Sequence, residues 1–368
     1  MKRLILFEFH HLGDAVMSLP FLNGARQKYD VFVCCSNAAA KIYELILPPE
    51  RVIRLEIPSL ARGNGYFEQW KQFWKAYREL KRLKASLAIC VWADVRVHLL
   101  MLLLGIPERV GFEMNEVNYY AHHISWRKRN LRNGMFIQKF LRFFGWNPLT
   151  KSLVRKDYQQ HHVLDWSQLA MELDVPFDVE SPWIDAKKLS LPPAAEHFFQ
   201  QHRGRKTWLL HPGAAKECKR WPHFDELVSQ VFLKNNVPLV ILIDPNAPRI
   251  KTFYDNCLHL PFGSLSDFIA VIAQCDVVLC NDSAAAHIAA ALGKQVITIF
   301  SSGSSFWFSP FTSKKTLFES SVCPFRPCLD RCLQPSYICL EAITLETVSN
   351  HIEMLLNAEV APRAPLLS

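Results

Sequence analysis

Short apolar runs alternate along this chain with longer segments in which apolar residues recur every three or four positions. The short runs predict buried strands, and the longer spacing predicts helices that pack on a sheet. In the first half, helices are predicted over 13–29 and 66–84, the second with an aromatic stripe that we interpret as core packing. The strands predicted in this half are residues 4–9, 30–35, 52–57 and 87–92.

The second half repeats the alternation. Helices are predicted near 222–235 and 264–275, over an alanine-rich segment that begins at Ala284, and over 343–358. The predicted strands are residues 207–211, 237–243, 276–280 and 295–300. Strands that alternate with helices of this length predict parallel sheets with right-handed crossovers.

A proline-containing linker over 179–195 separates the two halves. We therefore predict an α/β chain with two Rossmann-like domains, residues 1–182 and 183–342, whose parallel sheets face a central cleft. A nicotinamide oxidoreductase is disfavoured, because no GxGxxG motif follows any predicted strand.

Composition narrows the class of protein. The chain has 368 residues, of which 50% are hydrophobic and 21% are charged, as in globular domains. The most apolar stretch, residues 98–107, is too short to span a membrane. Glu8, His10 and His11 interrupt the apolar start too early for a secretory signal. The eleven cysteines are therefore expected to be cytosolic thiols, not a disulfide framework.

The net charge of +8 is spread unevenly. No acidic residue occurs between Glu116 and Asp157. A solvated helix face explains most runs of charge, but so long a stretch without counter-charges favours an anionic partner. From charge alone that partner could be nucleic acid, anionic lipid or a phosphorylated sugar. The basic residues of the stretch are Arg127, Lys128, Arg129, Arg132, Lys139, Arg142, Lys151, Arg155 and Lys156.

Three strand ends carry candidate chemistry, because ligands of open α/β sheets bind at the carboxyl ends of strands. After the first strand, Gly13 permits a tight turn and Asp14 enters the first helical turn, where it could also serve only as a helix cap. After residues 207–211, Gly213 and Ala214 allow close backbone approach. Lys216, Lys219 and Arg220 follow as cations, unless this is merely a basic loop before a helix.

The third strand end is the stretch VVLCNDSAAAHIAAALG, residues 277–293. Asp282 or Ser283 can cap the following helix, and Ala284–Ala286 are too small to obstruct its N-terminus, which favours an anion. The helix dipole contributes only about 0.3–1 kcal/mol, so Lys219 is predicted to help hold two phosphates. His287 fits either a ligand contact or a buried core histidine.

The motifs LGDAVMSLP, HPGA with KRWP, and NDSAAAHIAAALG occur in this order in the sequence. Together they resemble glycosyltransferase family 9, the ADP-heptose:lipopolysaccharide heptosyltransferases, which have the GT-B fold. The resemblance implies inverting transfer of a heptose or related sugar from a nucleoside diphosphate sugar, ADP-heptose in this family, to a lipopolysaccharide core or related glycan. No Asp-x-Asp motif is present, so we expect neither a metal ion nor another cofactor.

The resemblance also assigns roles to residues. Asp14 is the expected general base on the acceptor hydroxyl, and Lys219 is expected to contact the donor phosphates. The remaining expected donor-binding residues are Gly213, Ala214, Asp282, Ser283, Ala284 and His287. The expected acceptor-binding residues are His11, Gly13, Arg127, Arg129 and Arg132. Residues 343–358 are expected to form a helix that packs back on the N-terminal domain, as in other GT-B proteins.

The implied acceptor is an anionic glycolipid in the inner leaflet of a membrane. We therefore expect a cytoplasmic enzyme, held peripherally on the cytoplasmic face of the inner membrane by the acid-free stretch. Aromatic residues accompany the basic ones in that stretch, which suits such an acceptor, and no nucleic-acid partner is expected. These aromatic residues are Tyr119, Tyr120, Trp126, Phe136 and Trp146.

The sequence departs from the family at several positions. Ala284 stands where the family usually has glycine, and Ile250 aligns with a glutamate that meets the donor ribose, for which Asp244 is a possible substitute. Cys323, Cys328, Cys332 and Cys339 lie within seventeen residues, but their spacing fits no standard zinc motif, so we interpret them as reduced thiols. An epimerase-like GT-B enzyme or a non-catalytic sugar-binding protein remains an alternative.

Overall fold

The structure is a computed structural model that describes residues 1–55, 66–113, 136–141, 143–155, 160–180, 182–244 and 247–360. Contacts along the chain divide it into two compact units. The first unit comprises Met1–Asp185 and Phe306–Phe311, and the second comprises Ala186–Ser305 and Thr312–Ser368. The division after Asp185 lies near the expected boundary at residue 182.

The first unit contains a six-stranded parallel sheet with helices packed against it. Its strands are β1 (Arg3–Glu8), β2 (Asp30–Cys35), β3 (Val52–Arg54), β4 (Leu87–Cys90), β5 (Glu108–Phe112) and β6 (Lys151–Leu153). The helices among its described residues include α1 (Leu12–Met17), α2 (Leu19–Lys28), α3 (Asn37–Tyr43), α4 (Tyr66–Arg82), α5 (Val95–Leu103) and α6 (His162–Glu172). The strand order is β3-β2-β1-β4-β5-β6.

Two expectations for this unit need correction. The helix predicted over 13–29 is interrupted at Ser18, because Pro20 has no amide hydrogen to continue the ladder from α1 into α2. The aromatic stripe of α4 is only partly core: Phe73 and Tyr77 pack on the sheet, whereas Trp70 and Trp74 are exposed. Aromatic residues therefore lie both on the face of α4 that contacts the sheet and on a neighbouring face that is exposed.

The second unit also contains a six-stranded parallel sheet. Its strands are β7 (Trp208–His211), β8 (Leu239–Ile243), β9 (Cys257–Pro261), β10 (Val277–Asn281), β11 (Gln295–Phe300) and β12 (Lys315–Glu319), in the order β12-β11-β10-β7-β8-β9. Its helices are α7 (Pro193–Gln201), α8 (Phe224–Leu227), α9 (Leu265–Gln274), α10 (Ala284–Ala291), α11 (Ser305–Phe308), α12 (Ile338–Glu341) and α13 (Leu345–Val360). A π-helical turn over Val228–Leu233 continues α8. The residues of α11 from Phe306 onward belong to the first unit.

The C-terminal helix α13 packs in the second unit, although we expected it to pack on the first. Val348 and Ile352 are fully buried in a core that they share with Trp221 and Val228. The helix lies there because its apolar face packs on the apolar face of the π-helical turn after α8. The segment Phe306–Phe311 is the part of the C-terminal half that joins the first unit.

Each sheet has one point at which the strand order reverses. In the first unit, β2 and β3 lie on one side of β1, while β4, β5 and β6 lie on the other. In the second unit, β8 and β9 lie on one side of β7, while β10, β11 and β12 lie on the other. Loops that leave the carboxyl ends of the two strands at such a point diverge, so a ligand can enter between them. Candidate sites are therefore expected after β1 and β4, and after β7 and β10.

Candidate active site

The loops that follow β7 and β10 in the second unit are held together by Asn281. This residue is the last of β10 and is fully buried. Its side-chain amide donates to the carbonyl of Pro212 at 2.7 Å, and its side-chain oxygen accepts from the backbone amide of Trp221 at 3.1 Å. Ser301, which follows β11, donates to the carbonyl of Cys218 at 2.8 Å. The loop over 212–221 is thus fixed to two neighbouring strand ends.

This fixed loop carries Lys219 to two carboxylates. The Lys219 ammonium nitrogen lies 3.0 Å from Asp282 Oδ2 and 3.1 Å from Asp330 Oδ1. Burial acts to lower the pKa of Lys219, but the charges of Asp282 and Asp330 outweigh it and raise the pKa above its usual value. Lys219 is therefore a permanent cation. The predicted proximity of Lys219 to the NDS turn is present in the structure.

After β7, the backbone at Gly213 lies close to the side chains of Asp244 and His211. A Cβ atom there would overlap the Asp244 carboxylate and come within 2.9 Å of His211 Nε2. Glycine is needed at this position because there is no space for a side chain. Ala214 is buried, and its carbonyl accepts from Arg220 Nε at 2.9 Å. Asp244, which follows β8, therefore faces this strand end, whereas Ile250 lies in the hydrophobic core.

Helix α10 begins directly at the same edge of the sheet. Ser283 is its N-cap residue by position, but its side chain makes no capping hydrogen bond, and Asp282 turns to Lys219 instead. The expected side-chain cap is therefore absent. Ser283 Oγ is buried and has no hydrogen-bond partner within the described part of the chain. Backbone amides at such an N-terminus remain available to an anion. Ala284 is half-buried, and His287 is buried one turn further along α10.

Asp330 and Ser302 are site residues that the sequence motifs did not indicate. Asp330 lies in the cysteine-rich segment 323–339, and Ser302 follows β11. Ser302 Oγ donates to Asp330 Oδ1 at 2.7 Å. The sequence signal was weak, since Asp330 is one acidic residue in a segment singled out for its thiols.

None of the eleven cysteines, all within the described residues, forms a disulfide, in line with the expectation of thiols and not a disulfide framework. Over the described ranges, no group of three or more histidine, cysteine or acidic side chains is arranged to hold a metal ion. Burial raises the pKa of Cys328 to about 11, and burial likewise raises the pKa of Cys218 and Cys339. These three thiols are therefore neutral near pH 7, which makes them poor nucleophiles.

The corresponding edge of the first unit carries Asp14 in the first turn of α1. Asp14 is buried, and its Oδ2 accepts from the backbone amide of His11 at 2.9 Å. This hydrogen bond is the contact that a helix-capping role requires. A catalytic role for Asp14 stays a prediction. Gly13 is buried beside it, and His11 is exposed.

Three further side chains connect the ends of β1 and β4. Glu8 is fully buried and accepts from Trp92 Nε1 at 3.1 Å and from the backbone amide of His10 at 2.9 Å. The rings of His10 and Trp92 stack with centroids 3.9 Å apart. Burial lowers the pKa of His10, but hydrogen bonding to Glu8 and nearby carboxylates, including Asp14, raise it overall. Sequence reasoning missed this cluster because Glu8 ends an otherwise apolar strand.

The other predicted acceptor residues, Arg127, Arg129 and Arg132, lie outside the described residues. So does most of the acid-free stretch from 117 to 156. Within the described ranges, no helix combines the length and the apolar character that crossing a bilayer requires.

The sequence matches the family model of glycosyltransferase family 9 (heptosyltransferase) over residues 145–334, slightly more than half of the chain. No curated protein matches the sequence significantly.

Solved structures resemble the whole chain. E. coli ADP-heptose lipopolysaccharide heptosyltransferase II has a TM-score of 0.65 and 18% identity, and the match covers 98% of this chain and 100% of that one. E. coli heptosyltransferase WaaC with ADP has a TM-score of 0.64 and 17% identity, with 96% and 99% covered. A family 9 glycosyltransferase from Veillonella parvula has a TM-score of 0.70 and 17% identity, with 97% and 98% covered. These matches confirm the predicted α/β fold of GT-B type.

The buried His211 at the end of β7 generates a prediction about pH. Burial lowers the pKa of His211 to about 4 from an unfolded value of 6.5. Between pH 6.5 and pH 4 the unfolded state therefore binds more protons, so stability falls as the pH falls through this window. A shift of this size corresponds to a loss of up to about 3 kcal/mol. We expect His211→Gln to reduce the pH dependence of denaturant unfolding between pH 6.5 and pH 4.

The matched control is Phe268→Leu, which changes the ring that packs on His211 but leaves the histidine in place. It should lower the stability at both ends of the pH window while retaining the wild-type slope. An unchanged slope in His211→Gln would contradict the prediction.

Proposed function

Because this chain belongs to glycosyltransferase family 9, we propose that it transfers a heptose from ADP-heptose to a lipopolysaccharide core or related glycan. The observation that carries the proposal is the Lys219 ammonium group beside the N-terminus of α10, at the reversal point of the second sheet. A cation and free helix amides at one strand end suit a nucleoside diphosphate. The E. coli heptosyltransferase WaaC was solved with ADP and with ADP-2-deoxy-2-fluoro heptose, which supports ADP as the nucleotide.

In the proposed reaction, the second unit binds the donor and the first unit binds the acceptor. Asp14 accepts the proton of the acceptor hydroxyl as its oxygen attacks the anomeric carbon of the donor sugar. The bond from that carbon to the diphosphate breaks, ADP leaves, and the configuration inverts. General base catalysis of this kind contributes about 10²–10⁴-fold. Lys219 and the amides of α10 stabilise the charge that develops on the leaving diphosphate. We propose no metal ion in this step.

The first test separates base catalysis from helix capping. In Asp14→Asn, the side-chain oxygen can still accept from the His11 amide, so the cap is kept while the base is lost. We expect turnover to fall at least about a hundredfold, with an unchanged melting temperature and nearly unchanged ADP affinity. Sugar transfer and ADP titration measure these quantities. Transfer near the wild-type rate would show that Asp14 is only a helix cap.

The second test concerns the donor site. Lys219→Ala should weaken ADP binding and also slow transfer, because the same charge meets the bound diphosphate and the leaving group. Lys234→Ala is the control, because Lys234 is an exposed lysine of the same unit that lies outside the loop over 212–221. Ser283→Ala should have a smaller effect than Lys219→Ala, because backbone amides share the contact. ADP affinity that is the same in Lys219→Ala and wild type would remove Lys219 from the donor site.

We also propose that the first unit docks on an anionic bilayer surface, where a glycolipid acceptor resides. The support is an aromatic segment, residues 136–141 and 143–146, in which Leu141 is buried and six large apolar side chains face solvent. The exposed side chains are Phe136, Ile137, Phe140, Phe143, Phe144 and Trp146. Phe143 is 85% exposed, and the rings of Phe140 and Phe144 are 4.9 Å apart, so they form a patch and not scattered single residues. Aromatic side chains flanked by basic residues favour the interface of an anionic membrane.

The docking proposal predicts salt-dependent sedimentation with anionic liposomes and little with neutral ones. Phe140, Phe143 and Phe144 changed together to Ser should lose binding, as should Arg127, Lys128, Arg129 and Arg132 changed together to Ser. Met171→Ser is the control, because Met171 is an exposed apolar residue of the first unit outside the aromatic segment. Equal binding to both types of liposome, or full binding by the two multiple variants, would exclude docking and leave the transferase proposal intact.

A further inference from the structure

Lys219 forms ion pairs with two carboxylates, whereas one would be enough to neutralise its charge. Asp282 and Asp330 both lie within 3.1 Å of its ammonium nitrogen, so the three ionised groups together carry one net negative charge. The more distant Arg326 cation offsets part of this charge at Asp282. A diphosphate would meet like charges at this place, and like charges in close contact oppose binding. The ammonium group has three donors, so a phosphate could contact it beside both carboxylates, but the loss of one carboxylate would remove the like-charge repulsion.

The two carboxylates differ in how firmly they are held. Asp282 is buried in the turn between β10 and α10, and its backbone amide donates to the carbonyl of Ile299 at 2.9 Å. Asp330 lies in a segment without regular secondary structure, and 29% of its side chain is exposed. Asp330 is therefore the carboxylate that can leave at lower cost.

Two hydrogen bonds nevertheless hold Asp330 and its segment beside Lys219. Ser302 Oγ donates to its carboxylate, and the backbone amide of Leu329 donates to the carbonyl of Ser302 at 3.0 Å. Leu329 and Asp330 both have positive φ angles, 49° and 70°, which non-glycine residues adopt only at a cost. A conformation of this kind persists because the surrounding contacts hold it.

Space for a displaced side chain lies beside the segment. A cavity of about 570 Å³ is lined by Asp330 together with Lys216, Glu217, Arg220 and Tyr337. Because the two cations, Lys216 and Arg220, outnumber Glu217, a carboxylate that leaves Lys219 finds positive charge in this cavity. The displaced side chain therefore does not have to enter an apolar environment.

We propose that Asp330 occupies the position on Lys219 that a donor phosphate takes, so that donor binding exchanges one anion for the other. This inference rests on the proposed donor site at Lys219. It makes Asp330 an internal competitor of the diphosphate, and it gives the cysteine-rich segment a function: the segment presents this competitor to the site.

The test is a calorimetric titration of the full-length protein with ADP and, separately, with inorganic pyrophosphate and adenosine. Asp330→Asn keeps the shape of the side chain and removes its charge. We expect it to bind ADP and pyrophosphate at least about tenfold more tightly than wild type, because a like charge is removed. Adenosine, which has no phosphate, should show the same affinity for both proteins.

Ser302→Ala is a second variant that leaves every charge in place but removes the hydrogen bond that holds Asp330. It should tighten ADP binding in the same direction by a smaller factor, about two- to fivefold. If Asp330→Asn does not fold, the ADP affinity of Ser302→Ala still tests the exchange. Glu217→Gln is the matched control, because Glu217 is an acidic residue lining the same cavity with no ion pair to Lys219. Its ADP affinity should stay within about twofold of wild type.

The outcomes separate this inference from the proposed function. If wild type binds ADP through Lys219 but Asp330→Asn and Ser302→Ala bind it equally or more weakly, the exchange is wrong and Asp330 orients Lys219 instead. If Glu217→Gln tightens binding as much as Asp330→Asn, general electrostatics and not exchange explains the effect, which also overturns the inference. If no protein, Asp330→Asn included, binds ADP or pyrophosphate, the proposed donor site fails and the inference fails with it.

Discussion

A buried ammonium group needs a fixed counter-charge, and the edge at which β7 and β10 end is arranged around one such group, Lys219. Burial by itself lowers the pKa of a lysine, because the charged form loses its water. Asp282 and Asp330 reverse that effect and keep Lys219 protonated. The positive charge at this edge is therefore maintained by two carboxylates of the protein. In the proposed donor site, diphosphate binding and the internal ion pairs depend on the same ammonium group.

The position of this group depends on loops that the second sheet holds in place. Asn281 joins the carbonyl of Pro212 to the amide of Trp221, so the strand ends of β7 and β10 and the loop between 212 and 221 form one rigid assembly. Gly213 leaves no space for a side chain beside Asp244. Polar groups held in this way need little reorganisation when charge develops on a ligand, which is the main source of electrostatic catalysis. Asp330 differs, because it reaches Lys219 from an irregular segment.

The two units offer different chemistry at equivalent points of their sheets. The first presents the carboxylates of Glu8 and Asp14 with the stacked rings of His10 and Trp92, and the second presents a cation and a helix N-terminus. A hydroxyl group that must lose a proton suits the first set, and a diphosphate that gains charge as it leaves suits the second. This division agrees with the glycosyltransferase family to which the chain belongs.

The sequence by itself determined the two α/β units and most of their strands, because apolar periodicity is a local property. It also indicated Asp14, Lys219 and Asp282, since residues that follow strands lie at the ligand-binding edge of a parallel sheet. Only the tertiary structure decided that Asp330 meets Lys219 and Ser302, that Asn281 ties two loops together, and that α13 packs in the second unit. These contacts join residues far apart in the chain. They arise from the order of strands in the sheet and from the packing of one apolar face on another, neither of which any local pattern encodes.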